Sequence, residues 1–365
     1  MVSTGIRTIG SSSSNEFCGV EDHSSHLTEQ FRRMGFSNAG PSTATWPLSP
    51  EAVTSYMDSL IGNLVTHVIW QYSPYAFDKK GLPGWLPSVM EKFKKAGFIQ
   101  GVFFHEVAVR PHHVTDFKAA LLGKMQKQIA RQMNEIADVS FTSIPLYQSY
   151  FPDKPPTIVP IGPNILVEDG EFQFKPASGF FCFSNRFNQE LAFALADVSH
   201  LASSDRLLTI AGQSSKAQET NIKRWLKETG MKENVGYHGA AKMETIWCLL
   251  EQVACVLQPE PVINGMGGIS AKNGTASAAF AAGRPLITCK GDMTQTEIFR
   301  DGENVIFVKE QTAAGWIQAI EKWLTLPVEE KINMQLAARR TYEEVFSWEK
   351  AAEMISGRLL AGAQG

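Results

Sequence analysis

A chain of 365 residues exceeds what one hydrophobic core usually holds, so two domains are expected. Its 44% hydrophobic and 19% charged content fits a soluble globular protein and excludes a disordered one, and a net charge of −3 argues against a general nucleic-acid binder. No apolar run reaches the length of a membrane span, and the N-terminus lacks the basic region and apolar core of a signal peptide. Cys18, Cys182, Cys248, Cys255 and Cys289 are scattered without metal-ligand spacing, which reads as reduced thiols in a cytoplasmic protein.

Along the chain, short apolar stretches alternate with amphipathic ones. VSTGIRTIG is a candidate first strand, followed by a serine run at 11–14. Further strands are predicted over 65–72, 101–105, 139–143, 157–161, 179–184, 206–212, 254–259, 284–289 and 304–308. Helices are predicted at VEDHSSHLTEQFRRMG, FKAALLGKMQKQIARQMNEIAD, AGWIQAIEKWLTL and, as a pair, TYEEVFSWEKAAEMISGRLL. No basic amphipathic helix stands out as a membrane-surface element. Strands alternating with helices imply parallel sheets covered on both faces. A polar stretch with Gly and Pro at 166–178 reads as a linker, giving one α/β domain over 1–170 and a second over 177–346, with helix 347–365 after it. The expected fold class is α/β, with two Rossmann-like domains facing across a cleft.

In such sheets ligands sit in the loops after the strands. The loop after the first strand ends in Gly19, Val20 and Asp22, which suits either close backbone approach to a ligand or a plain loop-to-helix junction. SPYAFDKKGLPGWLP follows Gln71 and Tyr72 and carries Tyr75, Lys79 and Lys80, fitting either a stacking surface for a sugar or a packed corner. His105 and Glu106 end another strand, where a histidine beside a carboxylate suits hydrogen bonding or acid–base work. His112 and His113 lack a metal-ligand pattern. In the second half the same positions hold Arg186, Gly212 with Ser214, and Tyr237, His238 and Gly239 near the start of a helix. After QPEPVINGMGG comes ISAKNGTASAAFAAGRP, in which Ser270, Lys272, Asn273, Gly274 and Thr275 crowd the start of an alanine-rich helix. The unpaired N–H groups and partial positive charge of a helix start suit a phosphate, although an ordinary capped, buried helix has the same look.

Taken in order, GVEDHSSHLTEQFRRMG, QYSPYAFDKKGLP, FFHE, VPIGPNI, LLTIAG, VGYHG, GISAKNGTASAAFAAGRPLIT, DGENVIFV and YEEVFSWEKAAE resemble the family-4 retaining glycosyltransferases of the GT-B architecture, in a bacterial polysaccharide-type branch. The resemblance runs from about residue 17 to the C-terminus. It implies transfer of a sugar from a UDP- or GDP-linked donor to an acceptor hydroxyl with retention and without a metal or other cofactor. The partners implied are the nucleotide sugar and a sugar or lipid-linked acceptor, with no nucleic acid, and the resemblance leaves room for peripheral contact with the inner face of the membrane. It also implies that the closing helix crosses back onto the N-terminal domain.

By the same resemblance, Ser270, Lys272, Asn273, Gly274 and Thr275 hold the diphosphate with Arg186 and the Gly19–Val20 backbone. His105 bonds the donor sugar near the reacting carbon, with Glu106 beside it, while Asp22 and Gly212 line the donor site. Tyr237, His238 and Gly239 border the base, and Gln71, Tyr72, Tyr75 and Lys80 face the acceptor. Two departures stand out. Where many members of the family carry paired glutamates this chain has Ser270 and Ala278, so the polar loop replaces the pair. After Arg186, where a lysine is often found, come Asn188, Gln189 and Glu190. The alternatives are a catalytically silent relative acting as a binding or scaffold subunit, and a nucleotide-sugar epimerase. A nicotinamide-dependent dehydrogenase is disfavoured, since no G-x-G-x-x-G run follows a strand with an acidic partner at suitable spacing.

Overall fold

The computed structural model describes residues 4–10, 19–41, 46–113, 115–165, 178–201 and 207–362. Cys18, the serine run and nearly all of the predicted linker lie outside the described residues. The chain divides into two compact units, Met1–Gly162 with Trp348–Gly365, and Pro163–Ser347. The division falls at Gly162, ahead of the polar stretch at 166–178.

Unit 1 is built on six parallel strands: β1 (Gly5–Ile9), β2 (Ser37–Pro41), β3 (Val65–Tyr72), β4 (Ile99–Phe104), β5 (Val139–Thr142) and β6 (Thr157–Ile158), in the spatial order β2-β1-β3-β4-β5-β6. The helices are α1 (Gly19–Arg33), α2 (Pro50–Gly62), α3 (Pro74–Phe77), α4 (Leu86–Lys95), α5 (Phe117–Ile136) and α6 (Pro145–Gln148). Periodicity alone does not reveal β2. SNAGP has little β propensity, and Pro41 is tolerated because the strand lies at the sheet edge. The α2 helix starts on a proline behind a Ser49 cap, whose hydroxyl accepts from the Ala52 N–H at 3.2 Å.

Unit 2 repeats the plan with β7 (Phe180–Phe183), β8 (Leu208–Ala211), β9 (Val235–Gly239), β10 (Cys255–Gln258), a small antiparallel pair β11 (Val262–Ile263) and β12 (Met266–Gly267), then β13 (Leu286–Cys289) and β14 (Val305–Val308). The main sheet runs β14-β13-β10-β7-β8-β9 and is parallel throughout. Its helices are α7 (Gln189–Val198), α8 (Lys216–Glu228), α9 (Met243–Glu251), α10 (Gly274–Ala281), α11 (Ala313–Thr325) and α12 (Val328–Thr341). Strand β7 shows why the run FFCF is continuously apolar. Phe180 and Cys182 enter the core cluster on one face, Phe181 and Phe183 that on the other. VGYHG is a strand at the sheet edge rather than a helix start, and the next helix begins only at Met243.

The predicted terminal helix pair is a π-turn at Tyr342–Phe346 followed by α13 (Trp348–Gly362). Trp348, Ala351, Ala352, Ile355 and Leu359 line one face of α13 and complete a core with Ile6, Leu27, Phe31, Phe103 and Phe141 of unit 1. At Gly162 a Cβ would fall 2.5 Å from the Trp348 indole, so any side chain there would displace the ring. No helix among the described residues is long and apolar enough to cross a membrane.

Candidate functional site

In unit 2, Arg186, Ser270, Lys272, Asn273, Gly274 and Thr275 line one pocket of about 350 Å³, together with Asn164, Asn185 and Glu260. Its position follows from topology. Arg186 ends the turn after β7, Glu260 follows β10, and these two strands are neighbours in the sheet. The pocket floor is the start of α10. Asn273 caps that helix, its side-chain oxygen accepting from the Ala276 N–H at 3.2 Å. The N–H groups of Gly274 and Thr275 have no acceptor within the helix by its geometry. Backbone constraint holds the approach to the helix: Gly267 and Gly268 sit at φ +107° and +83°, and a Cβ at Gly268 would meet the Gly291 nitrogen at 2.3 Å.

Glu260 is the residue the sequence reading missed. One of its oxygens, Oε1, accepts from Asn273 Nδ2 at 2.6 Å and Gln258 Nε2 at 2.7 Å, and lies 3.4 Å from Arg186 Nε. Gln258 Nε2 also donates to the Thr275 hydroxyl at 3.1 Å, and that hydroxyl donates to Asn273 Oδ1. A buried carboxylate needs such donors to stay ionised at low cost. Besides the polar loop, the pocket therefore contains a carboxylate. The lining thus carries two cations, Arg186 and Lys272, and one carboxylate, Glu260. The available signal was position, since Glu260 lies two residues after β10 in the named stretch QPEPVINGMGG. Asn188, found where a lysine was sought, instead caps α7, accepting from the Leu191 N–H at 2.9 Å. Ala278 is fully buried in the packed body of α10.

The remaining unit 2 candidates lie along β8 and β9. The Gly212 N–H donates to the Gly239 carbonyl at 2.8 Å, and both glycines have positive φ. His238 is exposed. Burial, then the Glu219 charge, raise the Tyr237 phenol above its usual range, opposed by the neighbouring Ser214 hydroxyl.

In unit 1, His105 Nε2 lies 2.6 Å from Gln71 Oε1, and because a carbonyl oxygen only accepts, Nε2 carries the proton. The His105 N–H donates to the Tyr72 carbonyl at 2.9 Å. His23 is buried edge-on to His105, with ring centroids 4.6 Å apart. Burial pushes His23 down to about 3, against the effect of the Gln71 amide and with a smaller push from His26. Gln71 and Tyr72, expected to face the acceptor, are fully buried, Gln71 against the His105 ring and Tyr72 against Phe77 and Phe104. Burial likewise raises the Tyr72 phenol. Tyr75 is 48% exposed, and Lys80 and Glu106 are exposed. Gly19 and Val20 open α1, where burial and then Glu21 raise the Asp22 carboxyl. A second residue missed from sequence is Gln126, which is fully buried: its amide donates to the Gly81 carbonyl at 3.1 Å and accepts from the Val109 N–H at 2.8 Å, tying the loops after β3 and β4 to α5. Among the described residues no group of three or more His, Cys, Asp and Glu side chains is placed to hold a metal ion. Cys182, Cys248, Cys255 and Cys289 are free thiols.

Residues 171–341 match the family model described as glycosyl transferases group 1. No curated protein matches the chain in sequence. Among solved structures, a sucrose-phosphate synthase from Thermosynechococcus elongatus superposes with a TM-score of 0.68 at 16% identity, covering 99% of this chain and 100% of the other. The Anabaena protein Alr3699/HepE, solved in complex with UDP and glucose, gives a TM-score of 0.68 at 10% identity over 98% and 100% of the two chains. A glycosyltransferase from Rickettsia africae ESF-5 gives 0.67 at 12% identity over 100% and 99%. The fold is GT-B. Within the GT-B plan, the pocket above β7 and β10 lies entirely inside the matched segment apart from Asn164.

Proposed function

We propose that the protein is a retaining glycosyltransferase that moves a sugar from a UDP- or GDP-linked donor to the hydroxyl of a sugar or lipid-linked acceptor in glycan or glycoconjugate synthesis. The observation that carries this reading is the unit 2 pocket. It joins the start of an eight-residue helix to Arg186, Lys272 and five amide or hydroxyl side chains. As the sugar–phosphate bond breaks, negative charge grows on the leaving diphosphate. Preoriented N–H donors and two cations stabilise that charge without reorganising. In this reading His105, held by Gln71, bonds the donor sugar, and Tyr75 and Lys80 serve the acceptor. No metal is called for by the family the sequence resembles.

The test is thermal unfolding with UDP, GDP, ADP and their sugars. At least one diphosphate should raise the melting temperature, since a ligand that binds the folded state stabilises it by mass action. No shift with any of them removes the reading. One observation favours the catalytically silent alternative: Glu260 already lies 3.4 Å from Arg186, in competition with a diphosphate for that cation. Nucleotide binding without release of nucleoside diphosphate in the presence of acceptors would select that alternative, and consumption of the sugar nucleotide without any acceptor would select an epimerase.

A further inference from the structure

Glu260 places a negative charge among groups that otherwise suit an anion. It is buried and lines the same pocket as Arg186, Lys272 and the start of α10. The segment around it is pinned on both sides. The Thr288 hydroxyl donates to the Gln258 carbonyl at 2.7 Å, and Gln311 Nε2 donates to the Glu260 carbonyl at 2.6 Å. Gln311 Oε1 in turn accepts from the Val262 N–H at 3.2 Å. The carboxylate is thus held where a phosphate would compete with it for Arg186 and Asn273. Its hydrogen bonds alone do not call for a charge, since a glutamine carbonyl accepts the same two amide hydrogens from Asn273 and Gln258. What remains for the charge is an effect on charged ligands.

Charge also separates the donor of a sugar transfer from its product. As the sugar leaves, the electron pair of the broken carbon–oxygen bond stays on the diphosphate. The acceptor oxygen bonds the sugar carbon, and the acceptor's proton passes to solvent. The terminal phosphate, no longer esterified, gains an ionisation near pH ~6, so above that pH the product carries one more negative charge than the donor. Arg186, Lys272 and the helix start, acting alone, hold the more highly charged product harder. A carboxylate in the same pocket acts the other way, because it repels each ligand in proportion to the ligand's charge.

We propose, resting on the glycosyl-transfer reading, that Glu260 is a specificity-determining residue that turns the pocket against the extra charge of the nucleoside diphosphate, so that product leaves and fresh donor replaces it. The same repulsion acts on the charge growing in the transition state, where Arg186, Lys272 and the helix donors oppose it. At a separation of about 6 Å and a water-like dielectric, one carboxylate changes affinity about three-fold for each ligand charge.

The test is calorimetry of the full chain at low salt and mildly alkaline pH with two ligand pairs, UDP against UDP-glucose and GDP against GDP-mannose. For a pair that binds, Glu260→Gln should tighten the diphosphate about thirty-fold and the sugar nucleotide about ten-fold, a shift of about three-fold in their ratio toward product. Glu260→Asp keeps the charge but draws the oxygen back from Asn273 and Gln258, and should keep the wild-type ratio. Circular dichroism checks that each variant folds, and the aspartate variant alone decides the matter if the glutamine variant does not. An unchanged ratio in Glu260→Gln overturns the proposal. So does a shift in Glu260→Asp of about three-fold toward product, because hydrogen-bond geometry rather than charge would then set the ratio. Both outcomes leave the glycosyl-transfer reading standing, whereas a wild type that binds neither pair overturns that reading and this inference with it.

Discussion

Lys272 enters the pocket from the loop leading into α10, where it and Arg186 are the two cations of the lining. Lys272→Ala should raise the donor KM or lower kcat by about ten-fold or more, because a charge-assisted contact is worth about 1.5–3 kcal/mol. Steady-state kinetics over a donor series would check it, and unchanged constants would remove Lys272 from the site. His105 belongs to a different group. Its proton sits on Nε2 because Gln71 accepts it, and its backbone is tied to Tyr72. His105→Ala should impair transfer while leaving nucleotide affinity nearly intact by calorimetry; a collapse of affinity would reassign the residue to nucleotide binding.

At the scale of the element, α10 depends on Asn273 twice, once as its cap and once as a donor to Glu260. Asn273→Ala should cost about 1 kcal/mol of stability through the lost cap, read by chemical denaturation. It should weaken diphosphate affinity as well, because Glu260 loses one of its donors. Elements of this kind explain what was legible beforehand. A buried central strand such as β7 announces itself as an unbroken apolar run, and α1, α5 and α11 by amphipathic spacing. Edge strands β2 and β9 carry little apolar pattern because one neighbour is missing, so SNAGP and VGYHG gave no strand signal. The polar loop at 270–275 was visible as a cluster. Glu260 was not, since its partners come from β10, α10 and the turn after β7, and only folding brings them together. Gln71 and Tyr72 were misplaced for a related reason: their place at a strand end hides that both side chains turn into the core.

For the whole molecule, His23 sets an acid limit. Its folded value near 3 lies below the ordinary 6.5, so the unfolded chain takes up the proton first as pH falls. Its contribution to stability is complete above pH 6.5 and declines from there down to about pH 3. Between pH 7 and 5 this single group should remove about 2 kcal/mol. Urea unfolding at the two pH values would measure the slope, and His23→Leu should flatten it. The clasp of α13 on unit 1 reaches further still. A ribosome completes Ile6, Leu27, Phe103 and Phe141 long before it delivers Trp348 and Leu359, the side chains that cover them. Domains commonly mature in the order they are made. Here the first half must wait, its oily face held open, until α13 emerges.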